Sequence, residues 1–203
     1  MASRWSGVFV VLLAAGLGVR AEPPQDKPAE KKDPQSAIEP RSAPGAGQKF
    51  LARFVGDWDV VKTFHPRSGD PARATGVCRQ TMIHGDRFLR SDFTFDGAQG
   101  KTTGTGTIGF DAATGLFTSV WIDSRSTRMS LRQSKEKFNG EEIVLFSQTL
   151  GEGGTEARRS RTVTRLEDDG AKIVHRQYGI AADGKERLVM ELQMTRKAAN
   201  PGR

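Results

Sequence analysis

From about residue 57 the chain runs in short stretches of alternating apolar and polar residues, the two-residue period of strands that bury one face. "WDVVKTFH" is closed by "PRSGDP", and "TGVCRQTMIH" leads through Gly85-Asp86 into "RFLRSDFTF". "TTGTGTIGF" and "LFTSVWID" flank "DAATG", a hairpin. "TRMSLRQSKEKF" and "EIVLFSQTL" flank "NGE", where Asn139-Gly140 is the strongest turn signal in the chain. "RSRTVTRLE" and "KIVHRQYGI" flank "DDGA", and "KERLVMELQMTR" ends the series. In that last run Leu188, Met190, Leu192 and Met194 share one face, while Arg187, Glu191, Gln193 and Thr195 share the other. The pattern predicts ten strands joined by short turns.

One helix precedes them: "QKFLARFVG" spaces Phe50, Leu51, Phe54 and Val55 helically and stops at Gly56. Antiparallel neighbours with no crossover helices predict an all-β, up-and-down architecture. Closing about ten strands into a barrel removes exposed edges and leaves an interior wide enough for a ligand. Met190 and Met194 on the apolar face of the last strand would give that interior a deformable lining.

Composition adds flanking segments. Residues 1–21 combine Arg4, an apolar stretch from Gly7 to Gly18, and Val19 and Ala21 at the minus-three and minus-one places of a signal-peptidase site. Cleavage is expected after Ala21, giving an exported protein, periplasmic or secreted. The apolar stretch is shorter than the roughly 20 residues that span a bilayer, so no membrane span is expected in the mature protein. Residues 22–47 are rich in Pro, Lys, Glu and Ala, with Ile38 their only large apolar side chain, and read as a disordered tether. The folded domain is expected over 48–197 and a disordered tail over 198–203.

Charge changes little. The 31 Lys and Arg exceed the 24 Asp and Glu, but loss of Arg4 and Arg20 with the leader shrinks the surplus, and the rest are spread along the chain. The densest run, "EARRSRTVTR", alternates with small and β-branched residues as a solvated strand face does, so no nucleic-acid partner is expected. Cys78 is the only cysteine, which excludes an intrachain disulfide and reads as a small buried hydrophobe.

Gly56-Asp57-Trp58, opening the first strand, resembles the Gly-x-Trp signature of lipocalin-like barrels. In those folds a basic residue of a late strand lies across the Trp, a role that the resemblance gives to Arg196. Taken in order, "FLARFVGDW", "GDRFLRSDF", "GTIGFDAATGLFTSVWIDS" and "ADGKERLVMELQMTRK" resemble the bacterial family of domain of unknown function 1579, from about Phe50 to Lys197. The turn Gly85-Asp86-Arg87-Phe88 departs from the Gly-Gly-Arg-Phe often found there, and Asp suits such a turn as well. The resemblance implies a calycin-like barrel with a ligand pocket and attaches no reaction to it.

Few residues then invite chemistry. Gly104, Gly106 and Gly109 formally match a dinucleotide fingerprint, but a Thr-rich strand running into a hairpin offers no helix N-terminus for a pyrophosphate, and bends at a barrel corner explain them. His65, His84 and His175 form no ligand pair, so no metal is expected. Nitrobindin-type barrels hold haem through one His on a C-terminal strand; the last strand here has none, and His175 on the preceding one reads as a hydrogen-bonded wall residue, so no cofactor is expected. Trp121 and Asp123 share a face with Phe117 and Ser119, but the opposite face is also apolar, so alternation does not say which is internal. With the Trp face inside, Asp123 would sit near the rim and pair with Arg87 across the mouth; otherwise it is a strand-ending Asp satisfying turn amides.

Three functions fit these residues. The first is a barrel binding a small, mostly apolar molecule among Trp121, Met190, Leu192 and Met194, with Arg87, Asp123 and His175 as polar anchors. The second is a filled barrel acting as a structural or interaction module of the cell envelope. The third is an enzyme using Asp123 and His175 as an acid–base pair.

Overall fold

A computed structural model of the chain describes residues 42–97, 100–150 and 157–198. The expected signal peptide, residues 22–41 of the expected tether and the tail beyond residue 198 lie outside the described residues. The helix, α1 (Ala46–Ala52), starts two residues ahead of the expected domain boundary. Gln48 explains the early start, because its Oε1 accepts the Gly45 N–H at 2.7 Å while its Nε2 donates to Phe110 O at 2.6 Å. One amide side chain thus satisfies an orphan donor of the helix and fastens the helix to the barrel.

Ten antiparallel strands follow: β1 (Gly56–Phe64), β2 (Ala72–Ile83), β3 (Phe88–Gly97), β4 (Gly100–Asp111), β5 (Leu116–Asp123), β6 (Ser126–Gln133), β7 (Glu142–Leu150), β8 (Ala157–Glu167), β9 (Lys172–Ile180) and β10 (Glu186–Arg196). They close into a barrel in sequence order, with β10 against β1. The turns before β3, β5, β7 and β9 lie at the end carrying α1, and the turns before β2, β4, β6 and β10 surround the opposite end.

The helix end is a floor of packed rings. Phe50 stands 5.4 Å from Phe54 and 4.9 Å from Phe138, and Phe117 stands 4.9 Å from Phe110 and 5.1 Å from Phe138, between ring centroids. Phe138 had been expected at the end of a strand running into a tight Asn139-Gly140 hairpin, but β6 stops at Gln133 and residues 134–141 form a loop that turns the Phe138 ring onto this floor. Burying a ring outweighs a few more ladder bonds. Asn139 Oδ1 still caps the turn, accepting the N–H groups of Glu141 and Glu142 at 2.9 and 3.3 Å.

Closure rests on Trp58, which is 0% exposed. The Arg196 guanidinium lies 4.1 Å from its ring, and donates to the carbonyls of Gly170 at 3.0 Å, Val55 at 2.5 Å and Arg53 at 2.9 Å. A Cβ on Gly56 would come 2.5 Å from Arg196 Nη1, and the φ of +147° also favours glycine there. The lipocalin-like signature therefore closes this barrel as the resemblance implies.

Two seams depart from a regular ladder. The pairing of β10 with β9 shifts between Leu188 and Met190, so Val189 and Met190 both border the interior and Leu188 leaves the inward face expected of it. Between β6 and β7 a single register pair, Gln133↔Phe146, is present among the described residues. Beyond that pair, no further register pair laces β6 to β7 among the described residues.

Candidate functional site

The interior is partly empty. A cavity of about 530 Å³ lies between the walls, bordered by Trp121, Phe93, Phe95, Met190 and Asp123 and by Leu89, Ile108, Ile173 and Met194. The Trp face of β5 is therefore internal, the question that alternation left open.

Two glycines make that possible. A Cβ on Gly104 would lie 2.3 Å from the Trp121 ring, and one on Gly106 would lie 3.3 Å from it. These residues pair across β4–β5 with Asp123 and Trp121, so the indole folds flat over bare backbone. Close approach, rather than the expected bend at a barrel corner, accounts for both glycines. Trp121 then meets Phe93 edge to face at 5.6 Å.

Asp123 fixes the indole. Its Oδ2 accepts the Trp121 Nε1–H at 2.8 Å and Arg125 Nη2–H at 2.8 Å, and its Oδ1 accepts the Arg125 backbone N–H at 2.9 Å. Hydrogen bonding from the Arg125 guanidinium, followed by that from Trp121, holds the carboxyl far below the usual carboxylate range. Asp123 thus joins both sequence readings: it satisfies a turn amide and it borders the cavity.

Its partner is not the one expected. Arg87 donates to the carbonyls of Ser42 at 3.0 Å, Gly85 at 3.1 Å and His84 at 3.3 Å, all at the helix end. It borders no part of the cavity, and the β2–β3 turn stands at the end opposite Asp123. Arg125, two residues beyond Asp123, takes the role instead.

His175 lies on the cavity wall, with Nδ1 2.7 Å from Thr164 Oγ1. Burial, reinforced by the nearby Arg132 cation, pushes its pKa down to about 4, so the imidazole is neutral at physiological pH. Met190, Leu192 and Met194 border the same space. Asp123 and His175 therefore share a cavity, yet each is engaged elsewhere, Asp123 by Arg125 and Trp121 and His175 by Thr164.

Three polar groups in the wall escaped the sequence reading. Lys62 is buried, with its Nζ 3.5 Å from the centre of the Phe95 ring, and burial lowers its pKa. Arg132 reaches in from β6, its Nε buried without a hydrogen-bond partner. Gln80 donates to Ser91 Oγ at 2.9 Å but leaves its own Oε1 unpartnered. Cys78 is buried between Trp58 and Phe93 in the register, with burial pushing its thiol pKa up. No group of three or more His, Cys, Asp and Glu that could hold a metal ion occurs among the described residues, and no helix among them is long and apolar enough to cross a membrane.

A family model described as protein of unknown function (DUF1579) matches residues 43–196. Rv2717c from M. tuberculosis, a solved structure, is similar with a TM-score of 0.56 at 15% identity, covering 77% of this chain and 100% of its own. The S-type phycobiliprotein lyase CPES from Guillardia theta is similar with a TM-score of 0.49 at 11% identity, covering 81% of this chain and 98% of its own. No curated protein matches the sequence. Likeness to Rv2717c at that identity shows a shared fold alone.

Proposed function

We propose that this chain, which belongs to the family described as protein of unknown function (DUF1579), holds a small, mostly apolar molecule inside its barrel. The carrying observation is the cavity of about 530 Å³, within the range of roughly 300–1,000 Å³ typical of small-molecule sites. A barrel filled by its own side chains, the alternative module, would leave no such space. Aromatic and aliphatic walls supply affinity through burial, while Asp123, Lys62, Arg132 and His175 supply the few polar groups that orient a guest. The unlaced β6–β7 seam offers a way in from the side besides the open end.

Native mass spectrometry of the full mature protein, purified from its own source and then denatured, tests this reading. Release of a co-purifying small molecule supports it. An empty protein that also fails to bind the neutral apolar probe N-phenyl-1-naphthylamine sinks it. We further propose that residues 1–21 are removed on export and that the barrel acts in the periplasm or outside the cell on a tether that starts at residue 22 and ends before α1; an intact Met1 terminus on protein from a cytoplasmic fraction would count against that.

A further inference from the structure

The charges inside the barrel do not balance. Among the described residues bordering the cavity, Lys62, Arg125 and Arg132 are cationic and Asp123 is the one carboxylate. Asp123 is committed to Arg125 by a 2.8 Å ion pair. Lys62 is accommodated by the face of Phe95 at 3.5 Å and by Phe64 at 5.2 Å. Arg132 has neither: its Nε is buried with no hydrogen-bond partner, and no carboxylate meets its guanidinium among the described residues. A guanidinium stays charged, and an isolated buried charge costs several kcal/mol unless something pairs with it.

Its setting defines the missing group. Arg132 pairs in register with Ser119 on β5, four residues from Asp123 toward the helix end, or about 13 Å down the wall. His175 Nδ1 is engaged by Thr164 Oγ1 at 2.7 Å, so the wall itself occupies that nitrogen. A guanidinium fork matches the two oxygens of a single carboxylate. Ile108, Ile143 and Ile173 are among the residues that border the same cavity and offer apolar wall to a hydrocarbon.

Resting on the reading of the barrel as a small-molecule carrier, we infer that its ligand is an aliphatic carboxylic acid, with the carboxylate held by Arg132 and the hydrocarbon lying along the apolar walls. Arg132 enters as the specificity residue.

Displacement of N-phenyl-1-naphthylamine from the full mature chain by dodecanoate and by dodecanol, which share a chain and differ in charge, tests the inference. Dodecanoate should displace the probe at least tenfold more tightly. Arg132→Gln should lose that preference, and Arg128→Gln, at a residue outside the cavity lining, should keep it. Thermal melting gives a second readout: the empty Arg132→Met protein should melt no lower than wild type, because it sheds an unpaired buried charge, and dodecanoate should raise the melting temperature of wild type alone. Equal displacement by acid and alcohol, with the probe bound normally, overturns the carboxylate and leaves the apolar carrier standing. Retention of the preference in Arg132→Gln overturns the assignment to Arg132. Failure of the neutral probe to bind overturns the carrier reading, and the inference with it.

Discussion

The Trp121 indole N–H donates to Asp123 Oδ2 at 2.8 Å, and the same carboxylate is held by Arg125. The two residues stand on one face of β5 with the side chains bonded along the strand, so the ring is fixed flat against the wall. A cavity needs such walls. An indole free to swing would fill the space that it borders.

Breaking that bond should loosen the ring before it harms the fold. Asp123→Leu leaves the indole N–H unpartnered and should cost about 1–2 kcal/mol, while Asp123→Asn, which keeps an acceptor, should cost less than about 1 kcal/mol because Arg125 is half exposed. Urea denaturation measures both. Equal losses would mean that charge, and not the hydrogen bond, holds Trp121.

The two tryptophans that anchor this argument should separate in effect. Trp58→Ala empties a fully buried site beneath Arg196 and should cost about 3–5 kcal/mol. Trp121→Ala, at a half-buried cavity wall, should leave a folded barrel with weaker binding of an apolar probe. Circular dichroism with a probe titration tests the pair, and loss of folding in Trp121→Ala would make that residue core.

Adding one carbon beneath the indole should be costly. The Cβ of Gly104→Ala would meet the Trp121 ring at 2.3 Å, and either the strand or the ring must move, at about 1–3 kcal/mol. Gly140→Ala, where a Cβ meets nothing within 4 Å, gives the control for strained backbone alone. A Gly104→Ala protein with unchanged melting and probe binding would show that the indole is not packed there.

Acid should destabilise the barrel through His175. The imidazole is neutral in the folded and unfolded chain alike above about pH 6.5. As pH falls from there to about 4, the unfolded chain gains a proton that the buried ring beside Arg132 resists, so stability declines by about 3 kcal/mol in all. In His175→Gln that part of the decline should vanish. Parallel slopes of unfolding free energy between pH 6.5 and 4.5 in the two proteins would remove His175 as the cause.

The ten strands and the Trp58–Arg196 closure were legible in the sequence because alternation and turn residues encode them locally. Lys62, which escaped that reading, could have been found by the same alternation: it follows Trp58 and Val60 at the strand period and so faces inward with them. The pairing of Arg87 with Asp123 could have been rejected by turn parity, since in a meander the β2–β3 and β5–β6 turns fall at opposite ends. Arg132 is another matter. Met129 and Leu131 on β6 are 59% and 62% exposed, while Ser130 and Arg132 border the cavity, so hydropathy points the wrong way there. Only the pairing of Ser130 with Trp121 sets that face inward, and the inward direction of Trp121 itself depends on the glycines of the neighbouring strand.

The ends of the domain and the seam with the fewest register pairs lie in different places. β1 and β10, which bring the ends of the domain together, are joined by seven register pairs and clamped by Arg196, while among the described residues the sequence neighbours β6 and β7 share one. Unrolled at its weakest line, the molecule is a ten-stranded ribbon whose outer borders come from mid-chain and whose natural ends meet at its centre. It is, in effect, already a circular permutant of the meander that its sequence spells. A chain joined end to end and reopened within residues 134–141 would therefore restore agreement between sequence order and mechanical order, cutting where the wall already parts.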